Sequence, residues 1–371
     1  MKVLVAPDKF KGSLTAQQVC TAVKEGLLLQ DASIQVACLP LADGGEGTFD
    51  ILSSLEATRT KTVTVKDPLF RSIHASYGIS QNGKRAFIEM ASASGLQLLN
   101  ETERNPLKTT SFGTGQLIAD ALDENVEEII LGIGGSATND AGMGMLSALG
   151  FVFRSADAKE LSPVGSSLSQ ISSLDRTHCH ARLDKVRVTI LGDVTNPLHG
   201  TEGAAHVYAP QKGASPEDVL LLDRGLVHFS TFAKKSFNID VNFPGAGAAG
   251  GISAGALLVM NVTFQKGIDY IADRVGLEKE IEVADVVITG EGRIDEQTFS
   301  GKVVNRVMEM AQRKNKPVVL VCGQTSLPES FLTEKGVRET VVLAETPEHV
   351  AHAQQHAFNL LKEKIAGVRL A

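Results

Sequence analysis

Residues 129–150 read IILGIGGSATNDAGMGMLSALG, and their types and spacing suit anion chemistry. An apolar run ends in Gly132, Gly134 and Gly135, and Ser136, Thr138, Asn139 and Asp140 follow at once. Glycine lets backbone N–H groups approach an anion closely, and a helix start adds the positive end of its dipole. The segment reads as a phosphate cradle at the carboxyl end of a strand. It has no lysine of the Walker kind, so the positive charge must come from elsewhere in the fold.

Further Gly-bracketed polar loops follow apolar runs. Residues 6–13 (APDKFKGS) place Lys9 and Lys11 beside Gly12 and Ser13, a source for that charge. An exposed turn with Ser13 or Thr15 as helix N-cap accounts for the same residues equally well. Residues 41–48 (LADGGEGT) put Asp43 and Glu46 among glycines, which suits a metal or hydroxyl groups, or merely an acidic helix start. Asp193 stands directly after a β-branched run, where it can orient a substrate hydroxyl or hold Mg²⁺, although Asp before Asn-Pro is also ordinary turn chemistry. Residues 289–295 (TGEGRID) carry Glu291, Arg293 and Asp295, with Lys302 shortly after; Arg293 or Lys302 suits a phosphate or carboxylate, and a solvated surface ion pair is the plain alternative. Residues 245–250 (GAGAAG) match GxGxxG formally, but they lie outside an opening βαβ unit and read better as close packing of a helix start.

The chain has 371 residues and a net charge of −7. At ~150 residues per domain this suggests two domains. The charges are well mixed, which argues against nucleic acid as a partner. No run reaches the ~20 apolar residues of a membrane helix, and the first residues flow straight into a strand pattern rather than a signal peptide. Cys20, Cys38, Cys179 and Cys322 lack CxxC spacing and read as thiols in a reducing cytoplasm.

Strand and helix patterns alternate at both ends of the chain: strands at 2–6 and 33–39 with helices at 15–29 and 46–54, and later strands at 284–289, 317–322 and 339–343 with helices at 267–275, 302–313 and 348–365. The middle reads as strands at 61–65, 73–79 and 85–90, the last two joined by Asn82-Gly83, then helices at 114–122 and 140–149 around a strand at 127–132, and a strand at 186–191 before a helix at 217–234. The fold class expected is α/β: a Rossmann-like doubly wound parallel sheet from residues 1–66 and 261–371, with a mixed-sheet α/β domain, residues 67–260, inserted. Strand tips converging on one cleft, with lysines and carboxylates, form a set suited to phosphoryl transfer.

Taken together, APDKFKGSLTA, PLADGGEGT, GIGGSATNDAGMGML, GDVTNPLHGTEGAA, PGAGAAGG and ITGEGRIDEQTFSGK resemble the bacterial type 1 glycerate kinase family, in order and over residues 2–365. The resemblance implies two α/β domains with the active site in the cleft between them. It also implies Mg²⁺-assisted, ATP-dependent phosphorylation of D-glycerate, with 2-phosphoglycerate favoured over the 3-phospho isomer. On that basis Gly134, Gly135, Ser136, Thr138, Asn139 and Lys302 are expected to bind nucleotide. Asp193 is expected to orient or deprotonate the attacking hydroxyl, and Lys9 and Lys11 to neutralise the γ-phosphate or hold the glycerate carboxylate. Ser13, Asp43, Glu46 and Arg293 are expected on the substrate, and Glu291 and Asp295 on the metal. A non-catalytic sugar-acid- or phosphate-binding regulator and a nicotinamide-dependent hydroxyacid dehydrogenase are the alternatives. The oligomeric state is left open, a homodimer included.

Overall fold

Both ends of the chain build a single sheet. The computed structural model describes residues 1–45, 47–299 and 301–369. Met1–Asp43 and Gly267–Ala371 form one compact unit, and Gly44–Lys266 form another. In the first unit β1 (Lys2–Val5), β2 (Gln35–Cys38), β11 (Val286–Ile294), β12 (Val318–Thr325) and β13 (Val337–Val342) lie side by side in the order β2-β1-β11-β12-β13. Every pairing in it is parallel.

The strand sequences explain this. Val3, Val5, Val286, Ile288, Val319 and Val321 belong to one apolar cluster. Leu4, Val287 and Leu320 alternate with them and are equally buried, so both faces are covered, as parallel sheets require. The helix Ala16–Gln30 starts at Thr15, whose side chain accepts from the Gln18 N–H while the Gln18 side chain reaches back to the Thr15 N–H. It packs closely on the helix Val350–Ile365, because a Cβ on Gly26 would stand 2.5 Å from the Lys362 carbonyl oxygen. Counted along this unit, the strand order is 2-1-3-4-5, a doubly wound arrangement. Its direction reverses between β1 and β11, and the loops after those two strands therefore flank the topological switch point.

The second unit holds β3 (Arg59–Lys66), β4 (Ser72–Ile79), β5 (Arg85–Glu89), β6 (Glu128–Gly132), β9 (Arg187–Leu191) and β10 (Asn261–Gln265), in the order β10-β9-β6-β5-β4-β3. β5, β6, β9 and β10 are parallel, and β4 runs antiparallel to both β3 and β5. The hairpin at Asn82-Gly83 is present, with Gly83 at φ 70°. β7 (Val152–Arg154) and β8 (Ser173–Asp175) form a separate antiparallel pair that the sequence pattern did not disclose.

Elsewhere, too, elements differ from expectation for local reasons. The helix expected at 140–149 is only Met143–Ala148, because Ala141 and Gly142 adopt φ 50° and 73°, which no right-handed helix continues. Residues within the Gly/Ala-rich stretch form the helix Ile252–Val259, buried on most sides, where hydrophobic periodicity vanishes. β10 was not foreseen because it is a short edge strand with mostly exposed residues. Among the described residues no helix is long and apolar enough to cross a membrane.

Candidate active site

In the second unit, β6 ends at Gly132 and the chain enters the 133–142 loop. The loop is fastened from several sides. The Ile133 N–H donates to the Leu191 carbonyl, and the Ala137 N–H donates to the Ser94 carbonyl at 2.9 Å. The Thr109 hydroxyl donates to the Ala137 carbonyl at 2.8 Å. The carboxylate of Asp140 accepts from the Ser111 N–H and hydroxyl, both at 2.8 Å, and from the Gly142 and Gly144 N–H groups, both at 3.1 Å. Lys212 reaches up from below, its Nζ donating to Ser136 Oγ at 2.8 Å and to the Thr138 carbonyl at 2.7 Å.

What remains uncommitted is the tip. Among the described residues, the N–H groups of Gly134, Gly135 and Ser136 donate to no protein acceptor. Gly135 is exposed, and Gly134 is partly so. Gly134 must be glycine, since a Cβ there would stand 2.6 Å from Gly45 Cα, and Gly135 takes φ 74°. A turn that presents consecutive free amides is an anion-binding concavity. The helix dipole contributes little, because Met143–Ala148 begins well past the tip and the Asp140 carboxylate already answers its first N–H groups. Thr138 and Asn139 lie wholly beneath the surface. Among the described residues Thr138 Oγ1 and both polar atoms of the Asn139 amide have no hydrogen-bond partner, a costly arrangement that marks the loop as held in place by its surroundings.

Burial dominates the electrostatics. It lowers the Lys212 pKa to about 7, against the opposing pull of the Asp140 charge. It also pushes the Asp140 carboxyl upward, against its four donors. Beside the loop, a cleft of about 190 Å³ is lined by Ile133, Asp193, Phe243, Phe264 and Lys266. Asp193 sits there because β9 ends at Leu191 and the chain turns out through Gly192, whose Cβ would touch Ile133.

The 245–250 run has a different task from the one its pattern suggests. A Cβ on Gly250 would collide with Thr138, and the Gly250 carbonyl accepts from the Ala141 N–H at 2.9 Å. The run seats the loop from below and opens no βαβ unit.

In the first unit the switch point gathers carboxylates. Burial, followed by the negative charges of Asp43 and Glu291, raises the Asp8 pKa to about 7. Burial likewise raises that of Glu291, against a hydrogen bond from Thr298 and the charge of Lys302. Lys302 is the N-cap residue of the helix Val303–Arg313. Asp295 accepts from the Gln297 N–H at 2.9 Å and lies 3.7 Å from Arg293, whose side chain is 63% exposed. Lys11 borders a narrow pocket with Phe10, Gly292 and Gln324. The Ser13 hydroxyl donates to the Gln354 carbonyl at 3.0 Å. Glu46 lies outside the described residues. Among the described residues no three His, Cys, Asp or Glu side chains close on one point as a metal site.

The sequence pattern of the glycerate kinase family matches residues 3–370. The chain belongs to the glycerate kinase family. A Bacillus cereus relative named glycerate kinase is 43% identical over 366 residues, 98% of this chain and 95% of its own length. The glycerate 2-kinase of Escherichia coli is 40% identical over 338 residues, 91% of this chain and 89% of its own length. The crystal structure of a putative glycerate kinase 2 from Salmonella typhimurium LT2 matches with a TM-score of 0.84 at 40% identity, covering 99% of this chain and 96% of that one. Family membership accounts for a parallel sheet and a separate mixed sheet in one chain.

Sequence reasoning passed over several residues that the structure brings to this family's loops. Thr109 and Ser111 lie in 105–111 (NPLKTTS), where hydroxyls bunched just before a helix were a usable sign. Asp8 stands beside Lys9 in residues 6–13, where the two lysines are the more obvious signal. Lys212 carries no sign at all: it is one lysine in PQKG, and only the tertiary fold carries it to Ser136.

Proposed function

We propose that this chain transfers the γ-phosphoryl group of ATP to a hydroxyl of D-glycerate, releasing ADP and yielding 2-phosphoglycerate. The single observation that carries the reading is the tip of the 133–142 loop, where the undonated N–H groups of Gly134, Gly135 and Ser136 stand at a strand end. Such amides are preorganised for nucleotide phosphates and need no rearrangement when charge develops. The 2-position is supported by the glycerate 2-kinase name of the Escherichia coli relative.

In this mechanism Thr138 and Asn139 support the cradle from within rather than touching the nucleotide, consistent with their complete burial. Asp193, at the mouth of the cleft after β9, orients the attacking hydroxyl and accepts its proton. Lys9 and Lys11 neutralise phosphate charge, Lys302 assists on the nucleotide, and Ser13, Asp43 and Arg293 serve the glycerate.

Mg²⁺ fits the carboxylates at the switch point of the first unit. The charges of Asp43 and Glu291 add to burial in raising the Asp8 pKa, and the charges of Asp295 and Asp43 add to burial in raising that of Glu291, so the carboxylates lie close enough to share a cation. Mg²⁺ takes only one or two protein carboxylates and fills its remaining positions with phosphate oxygens and water. Glu291, with Asp43 or Asp8, would hold it, and Asp295 would act through its charge on Glu291. Bound there, the ion would offset charge on the phosphate oxygens.

The test is ADP release by the purified chain with and without D-glycerate, followed by phosphorus NMR of the product. Glycerate-dependent ADP and a 2-phosphoglycerate resonance are expected. ADP release indifferent to glycerate overturns the activity, and a 3-phosphoglycerate resonance overturns the regiochemistry.

A further inference from the structure

This inference rests on the reading of the 134–136 amides as a nucleotide-phosphate cradle. That cradle lacks a lysine of its own in sequence, yet the fold supplies one. Lys212 is only 3% exposed, and its Nζ lies 2.8 Å from Ser136 Oγ and 2.7 Å from the Thr138 carbonyl oxygen. We propose that Lys212 is the positioning residue of the cradle, holding Ser136 with its hydroxyl hydrogen turned outward and setting a positive charge within hydrogen-bond distance of Ser136, whose amide belongs to the cradle.

The chemistry of the groups supports this. An ammonium can only donate, so both contacts consume acceptor lone pairs on the loop. Ser136 Oγ, already accepting from Lys212, must direct its own hydrogen elsewhere. Ser136 retains 7% of its surface, and its neighbour Gly135, which carries one of the unused amides, is exposed. The charge balance points the same way. Among the described residues Lys212 has no ion-pair partner. The nearby carboxylate, Asp140, spends its lone pairs on Ser111, Gly142 and Gly144. A buried cation without a paired anion is costly, and an anion arriving at the tip would offset that cost. Burial accordingly weakens its hold on the proton, and a bound phosphate would restore it.

The experiment measures glycerate-dependent ADP formation by the full chain, its Lys212→Met and Ser136→Ala variants and the double variant, with thermal melting as the check on folding. Lys212→Met is expected to raise KM for ATP by about tenfold or more while KM for glycerate stays within about twofold, a split that mere loss of folded protein does not produce. Ser136→Ala is expected to raise KM for ATP as well, and the double variant to be no worse than Lys212→Met alone, because both act on one hydroxyl. A folded Lys212→Met variant with the wild-type KM for ATP, or with both KM values moving together, overturns the proposal. Should Lys212→Met not fold, Ser136→Ala decides: an unchanged KM for ATP overturns it. A wild-type chain without glycerate-dependent turnover defeats the proposed function instead, and is distinguishable on that ground.

Discussion

Gly250 lies so close beneath Thr138 that a Cβ on it would stand 2.0 Å from the Thr138 carbonyl oxygen and 2.6 Å from Asn139 Cα. The same carbonyl accepts from Lys212, so the GAGAAG run and the buried lysine press on one peptide group. Gly250 also takes φ 71°, which side chains rarely adopt. Gly250→Ala is therefore expected to destabilise the second unit by about 3 kcal/mol or more and to weaken ATP binding. Urea titration checks the first effect and KM for ATP the second; a loss below about 1 kcal/mol means that the loop gives way easily.

Asp193→Asn keeps the shape of the side chain and removes its ability to take a proton. It is expected to melt within a few degrees of the wild type and to keep its KM for ATP. Its kcat should fall by about 10²–10⁴-fold, the usual share of general acid–base catalysis. A kcat within about threefold of wild type would remove Asp193 from the chemistry.

Lys212 gives a pH signature of stability. Its folded pKa, about 7, lies below the value of 10.5 for a free lysine. Between those values the unfolded chain binds the extra proton, so stability rises with pH from about 7 upward. The contribution is complete only above the unfolded pKa and is lost as pH falls through the folded one. The slope is at most about 1.36 kcal/mol per pH unit. Denaturant melts between pH 7 and 9 should show this rise in the wild type and a flatter profile in Lys212→Met. Parallel profiles would mean that the lysine keeps its proton throughout.

The cysteines should label in a fixed order. Cys38 is half-buried, and its pKa is lowered by its interaction with Cys20 and by the charge of Lys24, against burial. Cys322 is buried inside β12, and burial pushes its pKa up to about 12. Thiolate, not thiol, reacts with iodoacetamide. Mass spectrometry of briefly treated native protein should find Cys38 modified well before Cys322. Equal labelling of the two contradicts the difference in their surroundings.

Much of the fold was legible in the sequence because the central strands β1, β11 and β12 of the first unit are largely buried. Such strands read as Val/Ile/Leu-rich runs, and each leads into glycines and polar residues toward its carboxyl end. β10 and the β7–β8 pair escaped because they are short and lie outside that pattern. The candidate site divides the same way. The 133–142 loop stands out locally, since glycines and hydroxyls crowd one strand end. Its supports do not, because Thr109, Ser111, Lys212 and Gly250 come from separate segments with no spacing in common.

By itself the sequence determined the glycine-rich strand ends, the hairpin at Asn82-Gly83 and the family to which the motifs belong. These are short-range matters of φ, periodicity and residue type, written where they act. Only the tertiary structure decided that the 2-1-3-4-5 order places Asp8 beside Asp43 and Glu291, and that Lys212 lies under Ser136. The physical reason is that a buried charge is positioned by whatever packs around it, and that packing is set by residues far away along the chain.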